Sequence, residues 1–251
     1  MDHSIYNQQE FDIRLEWGIR GVEELAPVSD VVIIVDILSF SSSVNIATEK
    51  GALIYPYQWK DETAIAFAKS NNAELAGFNR RYTQGYSLSP SSLLSIPKGT
   101  KLVLPSPNGS TLSLATGKKS TLCGSLRNAR AVAKYAMKLG EKIVVIPAGE
   151  KWSDGSLRVA YEDLIGAGAI VSYLEGKLSP EAQAAKATFD ASKNQLLESI
   201  KACSSGKELI ARGFEKDVEL ACELNVSRAL PLLTDGCYKR VSMSDSNALG
   251  S

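Results

Sequence analysis

The segment Asp30-Val-Val-Ile-Ile-Val-Asp36 constrains the fold more than any other stretch of the chain. An unbroken β-branched run leaves no polar face for water, so it reads as a strand buried on both sides. Strands of that kind belong to sheets whose two faces are covered by helices. The rest of the sequence keeps the same rhythm. Strand signals over 11–17, 52–57, 73–76, 101–104, 120–124 and 142–147 alternate with helix signals over 21–25, 43–50, 62–70, 110–115, 127–139 and 160–174. Asp61 is placed to cap the helix at 62–70. A long helix over 180–203, helices over 206–212 and 214–224, and strands over 229–233 and 237–241 complete the pattern. Residues 77–90 are rich in Gly, Ser, Tyr and Asn and read as a long loop, followed by a short helical piece at 91–95. Loops of that length are more often functional than idle. The pattern predicts an α/β fold. No internal repeat or linker interrupts it, so residues 1–241 are expected to form a single domain, with the polar residues 242–251 as a frayed tail.

Several function classes fall away on composition. Lys plus Arg and Asp plus Glu number 28 each, so no global field draws nucleic acid or an acidic membrane. No apolar run approaches the ~18 residues needed to span a bilayer, and the polar start shows no signal peptide. The four cysteines form no CxxC pair and read as reduced thiols, so a cytoplasmic location is expected. The only histidine, His3, excludes Ser-His-Asp hydrolases, His-ligated zinc hydrolases and phosphohistidine enzymes. Acid–base chemistry must then rest on other side chains or on metal-bound water.

In α/β sheets, ligands gather where loops leave the carboxyl ends of strands, and four such segments are polar. Asp36-Ile-Leu-Ser-Phe-Ser-Ser-Ser43 closes the buried strand with a carboxylate, a hard oxygen ligand suited to Mg²⁺. The hydroxyls of Ser41, Ser42 and Ser43 and the helix start behind them could hold phosphate oxygens; the plainer reading is turn and helix capping. Asn108, Gly109 and Ser110 lie in a turn whose N–H groups could face one anion, or in a plain tight turn. Arg127 and Asn128 follow another strand, the first able to clamp an anion, the second to cap a helix or touch a ligand. Glu162 and Asp163 open a helix after Ala148-Gly149-Glu150. Neighbours on a helix diverge by ~100°, so one is expected at the site and the other exposed or capping. Gly166-Ala-Gly168 lies inside a helix and lacks the third glycine of a dinucleotide fingerprint, so close helix packing is the simpler reading.

Familiar phosphatase nucleophiles are missing. Ala129 stands where a cysteine phosphatase would need Arg after Cys123, and Leu38 where an Asp-x-Asp nucleophile pair would need its second Asp. No Gly-Lys pair has P-loop context.

The order of Asp36-Ile-Leu-x-x-Ser-Ser-Ser43, Pro107-Asn-Gly-Ser110, Gly124-Ser-x-x-Asn-Ala-x-Ala-Val-Ala133, Ala148-Gly149, Glu162-Asp-Leu-x-Gly-Ala-Gly168 and Gly213-Phe-x-x-Asp-Val-Glu-x-Ala221 resembles the 2-phosphosulfolactate phosphatase (ComB-like) family over roughly residues 30–235. The resemblance implies a three-layer α/β/α fold with a mixed, mostly parallel sheet, and Mg²⁺-dependent hydrolysis of 2-phosphosulfolactate or a related small phosphorylated hydroxy acid. By motif, Asp36, Asn108, Gly109, Asn128, Glu162 and Asp163 inherit site roles. Asp36 with Glu162 or Asp163 would hold Mg²⁺; Ser41 to Ser43, the turn at Asn108 and Gly109, and Arg127 would position the substrate. One departure stands out: where the family carries Arg, this chain has Ser39, leaving Arg80, Arg81, Arg127 or Arg158 to replace it. The loop before Ser89-Pro90 also departs from the family's Gly-Asn-Ser-Pro. A non-catalytic phospho-metabolite-binding protein is the alternative, a sugar-phosphate lyase or isomerase a third reading, and a homodimer the base-rate expectation.

Overall fold

The computed structural model describes residues 3–81 and 85–245. The first half contains β1 (Ile13–Leu15), α1 (Gly18–Leu25), β2 (Val31–Val35), α2 (Phe40–Glu49), β3 (Leu53–Tyr57), α3 (Glu62–Ser70), β4 (Glu74–Leu75), β5 (Lys101–Pro105) and α4 (Gly109–Ala115). The second contains β6 (Ser120–Gly124), α5 (Ala129–Leu139), β7 (Ile143–Pro147), the small hairpin β8 (Glu150–Lys151) and β9 (Leu157–Arg158), α6 (Tyr161–Val171), α7 (Pro180–Ser192), α8 (Leu196–Ala202), α9 (Ser204–Ala211), α10 (Glu215–Cys222), β10 (Leu230–Thr234) and β11 (Cys237–Val241).

Nine of these strands form one mixed sheet in the order β1-β7-β2-β6-β10-β11-β3-β5-β4. β1, β7, β2 and β6 are mutually parallel, as are β3, β5 and β4. The late hairpin β10–β11 joins the two groups by antiparallel contacts to β6 and β3. β2, with β7 on one side and β6 on the other, is fully buried, as its β-branched run requires. One apolar cluster packs α5, α6 and α7 against one face, with Ile33, Val35 and Val145 beneath them. Another places Val22 and Leu25 of α1 and Leu112 of α4 against Val32, Ile34 and Val144. These layers are the expected α/β/α arrangement. Among the described residues, no helix is long and apolar enough to cross a membrane.

Local expectations hold where the chemistry is strong. Asp61 accepts the Thr63 N–H as the cap of α3. A Cβ on Gly168 would lie 2.0 Å from the Ala185 carbonyl oxygen, so the glycine serves the contact of α6 with α7. One expectation fails: the helix over 180–203 is two. It breaks in a 3₁₀ turn at Lys193–Gln195, after which α8 packs on α9 and α10. Between β7 and α6 the hairpin β8–β9 pairs Glu150 with Arg158 and Lys151 with Leu157. Of the tail, residues 242–245 form a turn closed by the Ser242 N–H donating to Asp245, and 246–251 lie outside the described residues.

Candidate active site

Five connections that leave strands at their carboxyl ends meet in a polar cavity of about 200 Å³, lined by Asp36 and Ser39 after β2, Lys60 after β3, Arg80 after β4, Ser106 and Asn108 after β5, and Glu150 after β7. Ser205, Glu208 and Arg212 of α9 close it from the side. The strand-end rule thus locates the site.

Asp36 sits at its floor, 6% exposed. Its Oδ1 accepts the Phe40 N–H at 3.2 Å and its Oδ2 the Gly109 N–H at 2.9 Å. A Cβ on Gly109 would lie 2.8 Å from that Oδ2 and 2.3 Å from the Phe40 ring, so only glycine lets α4 start this close. Burial pushes the Asp36 carboxyl up to about 6, against the two backbone donors, with the Glu162 charge adding to the rise.

Glu162 and Asp163, 126 and 127 residues beyond Asp36 in the chain, are both buried, and the Glu162 charge acts on Asp36 as the Asp36 charge acts on Asp163. Neither is exposed; the Cys203 thiol, just before α9, donates to Glu162. Asp163 is the capping member: its Oδ1 accepts the Ile37 N–H at 2.7 Å and its Oδ2 the Gly149 N–H at 2.9 Å. One carboxylate thereby ties the loop after β2 to the loop after β7. Burial, then Asp36 and Glu162, hold its carboxyl well above the usual range. Glu162 receives only the Cys203 thiol, at 3.3 Å, among the hydrogen bonds of the described residues.

A fourth carboxylate escaped the sequence reading as a site residue. Glu150 lines the cavity, held by the Asn108 Nδ2 at 2.9 Å, and burial with Asp36 nearby pushes it up to about 7. Lys60 and Arg80 face this acidic group. Burial pulls the Lys60 ammonium below its ordinary value, as do Arg80 and Arg212, while Glu150 and Asp36 pull the other way. Arg80 donates to Ser39 Oγ and to Asp217 Oδ2, each at 3.0 Å. Asp217 is itself buried and gathers the Ser89 hydroxyl and the Ser91 N–H. Only the strand-end rule could have pointed to Lys60 and Glu150.

The other expected substrate contacts lie elsewhere. Ser41 Oγ donates to the Asp36 carbonyl, Ser42 Oγ to Ile37 and Ser43 Oγ to Leu88, so these buried hydroxyls bind backbone. Ser110 Oγ likewise donates to the Leu104 carbonyl. Arg127 is buried and does not line the cavity. It donates to Asn45 and to the Leu220 carbonyl and pairs with Glu223. Asn128 accepts the Ser125 N–H and donates to the Ala229 carbonyl. The reason is topological: β10 enters antiparallel beside β6, and its approach occupies the end of β6 where a ligand would sit. Of the predicted set, Asp36 and Asn108 line the cavity and Gly109 supports Asp36.

Mg²⁺ binds through one or two carboxylates, completing its shell with water and substrate oxygens. Asp36, Glu150 and Glu162 offer that donor chemistry, in a cluster whose mutual repulsion a cation would relieve. Among the described residues, no group of three His, Cys, Asp or Glu side chains is arranged to hold an ion alone.

A mixed α/β sheet with a carboxylate- and arginine-lined cavity at its strand ends suits an enzyme that handles a small anionic ligand, and the class that the family match gives is a phosphoric monoester hydrolase. The family model described as 2-phosphosulpholactate phosphatase matches residues 21–236, and the chain belongs to that family. It is 32% identical over 216 residues to a probable 2-phosphosulfolactate phosphatase of Carboxydothermus hydrogenoformans, covering 83% of this chain and 89% of that protein. It is 29% identical over 223 residues to another of Thermotoga maritima, covering 85% and 95%. Against the 2-phosphosulfolactate phosphatase of Methanothermobacter thermautotrophicus it is 26% identical over 208 residues, covering 83% and 88%.

Proposed function

We propose that this chain is a Mg²⁺-dependent phosphatase acting on 2-phosphosulfolactate or a closely related phosphorylated hydroxy acid. The observation that supports it most is one cavity lined by Asp36 and Glu150 together with Lys60 and Arg80, with buried Glu162 close enough for its charge to act on both carboxylates.

In this reading Asp36 and Glu162 hold the cation, and Asp163 fixes the loops on either side. When bound, Mg²⁺ supplies charge neutralisation at the phosphoryl oxygens. Arg80 and Lys60 hold phosphate oxygens and stabilise the charge that builds as the ester P–O bond opens and an oxygen supplied overall by water takes its place on phosphorus. Glu150, poised near neutrality, donates a proton to the departing alkoxide, and Asn108 orients it. The binding-only alternative drew on the missing arginine at Ser39; Arg80 reaches that spot from the long loop.

The test is phosphate release from 2-phosphosulfolactate with Mg²⁺ and with EDTA. Release only with the cation, and a loss on the order of 10²-fold or more in Asp36→Asn, supports the reading. Binding without turnover would instead select the non-catalytic alternative.

A further inference from the structure

Beside the acidic cavity lies a second one, of about 330 Å³, lined by Asn79, Arg80, Arg81, Arg212 and Phe214. Three guanidinium carbons stand over the Phe214 ring, those of Arg80, Arg81 and Arg212 at 5.4, 5.8 and 5.9 Å from its centroid. The ring attracts each cation, yet the three repel one another. Arg80 is compensated by buried Asp217, and Arg212 by exposed Glu208. Arg81 has no carboxylate partner among the described residues; its Nη2 donates to the Arg212 carbonyl. Gly213 makes room for it, since a Cβ there would lie 3.2 Å from that nitrogen. Arg80 and Arg212 line both cavities, so the cationic wall of one is the side wall of the other.

We propose that Arg80, Arg81 and Arg212, gathered on Phe214, form a second anion subsite that receives a non-esterified acid group of the substrate while its phosphate lies over Asp36. This rests on the phosphatase reading for the first anion. A phosphate ester with no other acid would leave Arg81 without an anionic partner. One carrying a carboxylate or sulfonate close to the ester carbon can reach both walls. Guanidinium forks suit either group, because the planar carboxylate and the tetrahedral sulfonate each present two oxygens that a fork can grip. Selectivity for an acid-bearing ester then resides in the loop after β4 and the end of α9.

Arg81→Gln tests this, because Arg81 is exposed and lines only the second cavity. KM is measured for 2-phosphosulfolactate, for 2-phospholactate and for 4-nitrophenyl phosphate, in wild type, Arg81→Gln and Arg81→Lys. The expected result is a rise of about tenfold for acid-bearing esters, the loss of roughly one charge-assisted hydrogen bond, several times larger than any rise for 4-nitrophenyl phosphate and partly recovered by Lys. A rise confined to 2-phosphosulfolactate assigns the subsite to the sulfonate; a rise for both acids assigns it to the carboxylate. Equal changes for all three esters, or none, overturn the proposal. If wild type hydrolyses none of them, the phosphatase reading fails and calorimetry with sulfolactate decides the subsite. Weaker binding by Arg81→Gln then supports it, and equal or absent binding overturns it.

Discussion

Arg80 donates an Nη1 hydrogen bond to the Ser39 hydroxyl at 3.0 Å, bridging two residues 41 positions apart. A guanidinium thus stands beside the position where the family pattern carries its arginine, supplied by a loop instead of the turn after β2. Removing it leaves Asp217 buried and uncompensated, so Arg80→Gln is expected to cost about 3 kcal/mol of stability. It should also raise KM for the phosphorylated acid. Adding Asp217→Asn should restore much of the stability but not the KM. Urea denaturation set beside steady-state kinetics checks both parts.

Glu150 should shape the alkaline side of the pH profile. With its carboxyl up at about 7, the fraction able to donate a proton falls above that value. The kcat/KM of wild type should therefore decline above pH ~7, and Glu150→Gln should lower activity and flatten that decline. An unchanged alkaline limb in the variant would remove Glu150 from the proton-donor role.

Stability of the metal-free protein should fall as pH rises. The Asp36 carboxyl goes from 3.8 to about 6 on burial, and Glu150 from 4.5 to about 7. Between those limits the native state binds more protons than the unfolded chain, so unfolding becomes easier with increasing pH. Stability from these groups is full below pH ~4 and lost through pH 6 to 7. Thermal unfolding in EDTA should show a lower midpoint at pH 8 than at pH 5. Added Mg²⁺ should raise the midpoint more at pH 8, where the carboxylates are charged.

Asp163 is expected to matter first for the fold. Asp163→Ala leaves the Ile37 and Gly149 N–H groups without their acceptor, which should cost on the order of 2–5 kcal/mol. Chemical denaturation measures this directly.

Arg127→Ala provides the opposite control. It loses contacts to Asn45, Leu220 and Glu223, none of which lines the cavity, and should cost about 2 kcal/mol or more. The folded fraction should retain the wild-type KM; a large KM increase would return Arg127 to the substrate.

The sequence made the layered architecture legible because its buried strands are β-branched runs with no polar face, as at Val31–Val35. Asp36 was legible for the same reason: a carboxylate closing such a strand needs a purpose. The pair Glu162 and Asp163 was visible as a motif, but its division of labour was not. Which carboxylate meets the two N–H groups depends on how β2 and β7 end side by side. Arg127 and Asn128 misled because their segment looks like a ligand loop, while the competing occupant, the approach to β10, lies about a hundred residues later. The break at Lys193–Gln195 contains neither Gly nor Pro, so only tertiary packing reveals it. Lys60 and Arg80 come from irregular segments and Glu150 from the two-residue strand β8, and their placement at the cavity follows from the sheet order.

That sheet order also sets a timetable. The strands on either side of the β10–β11 hairpin come from earlier in the chain, and the hairpin that stitches them together comes late. During synthesis the two flanks must wait unjoined, each with a bare sheet edge, until residues 230–241 have left the ribosome. A nascent chain stopped short of them should therefore expose those edges and invite self-association.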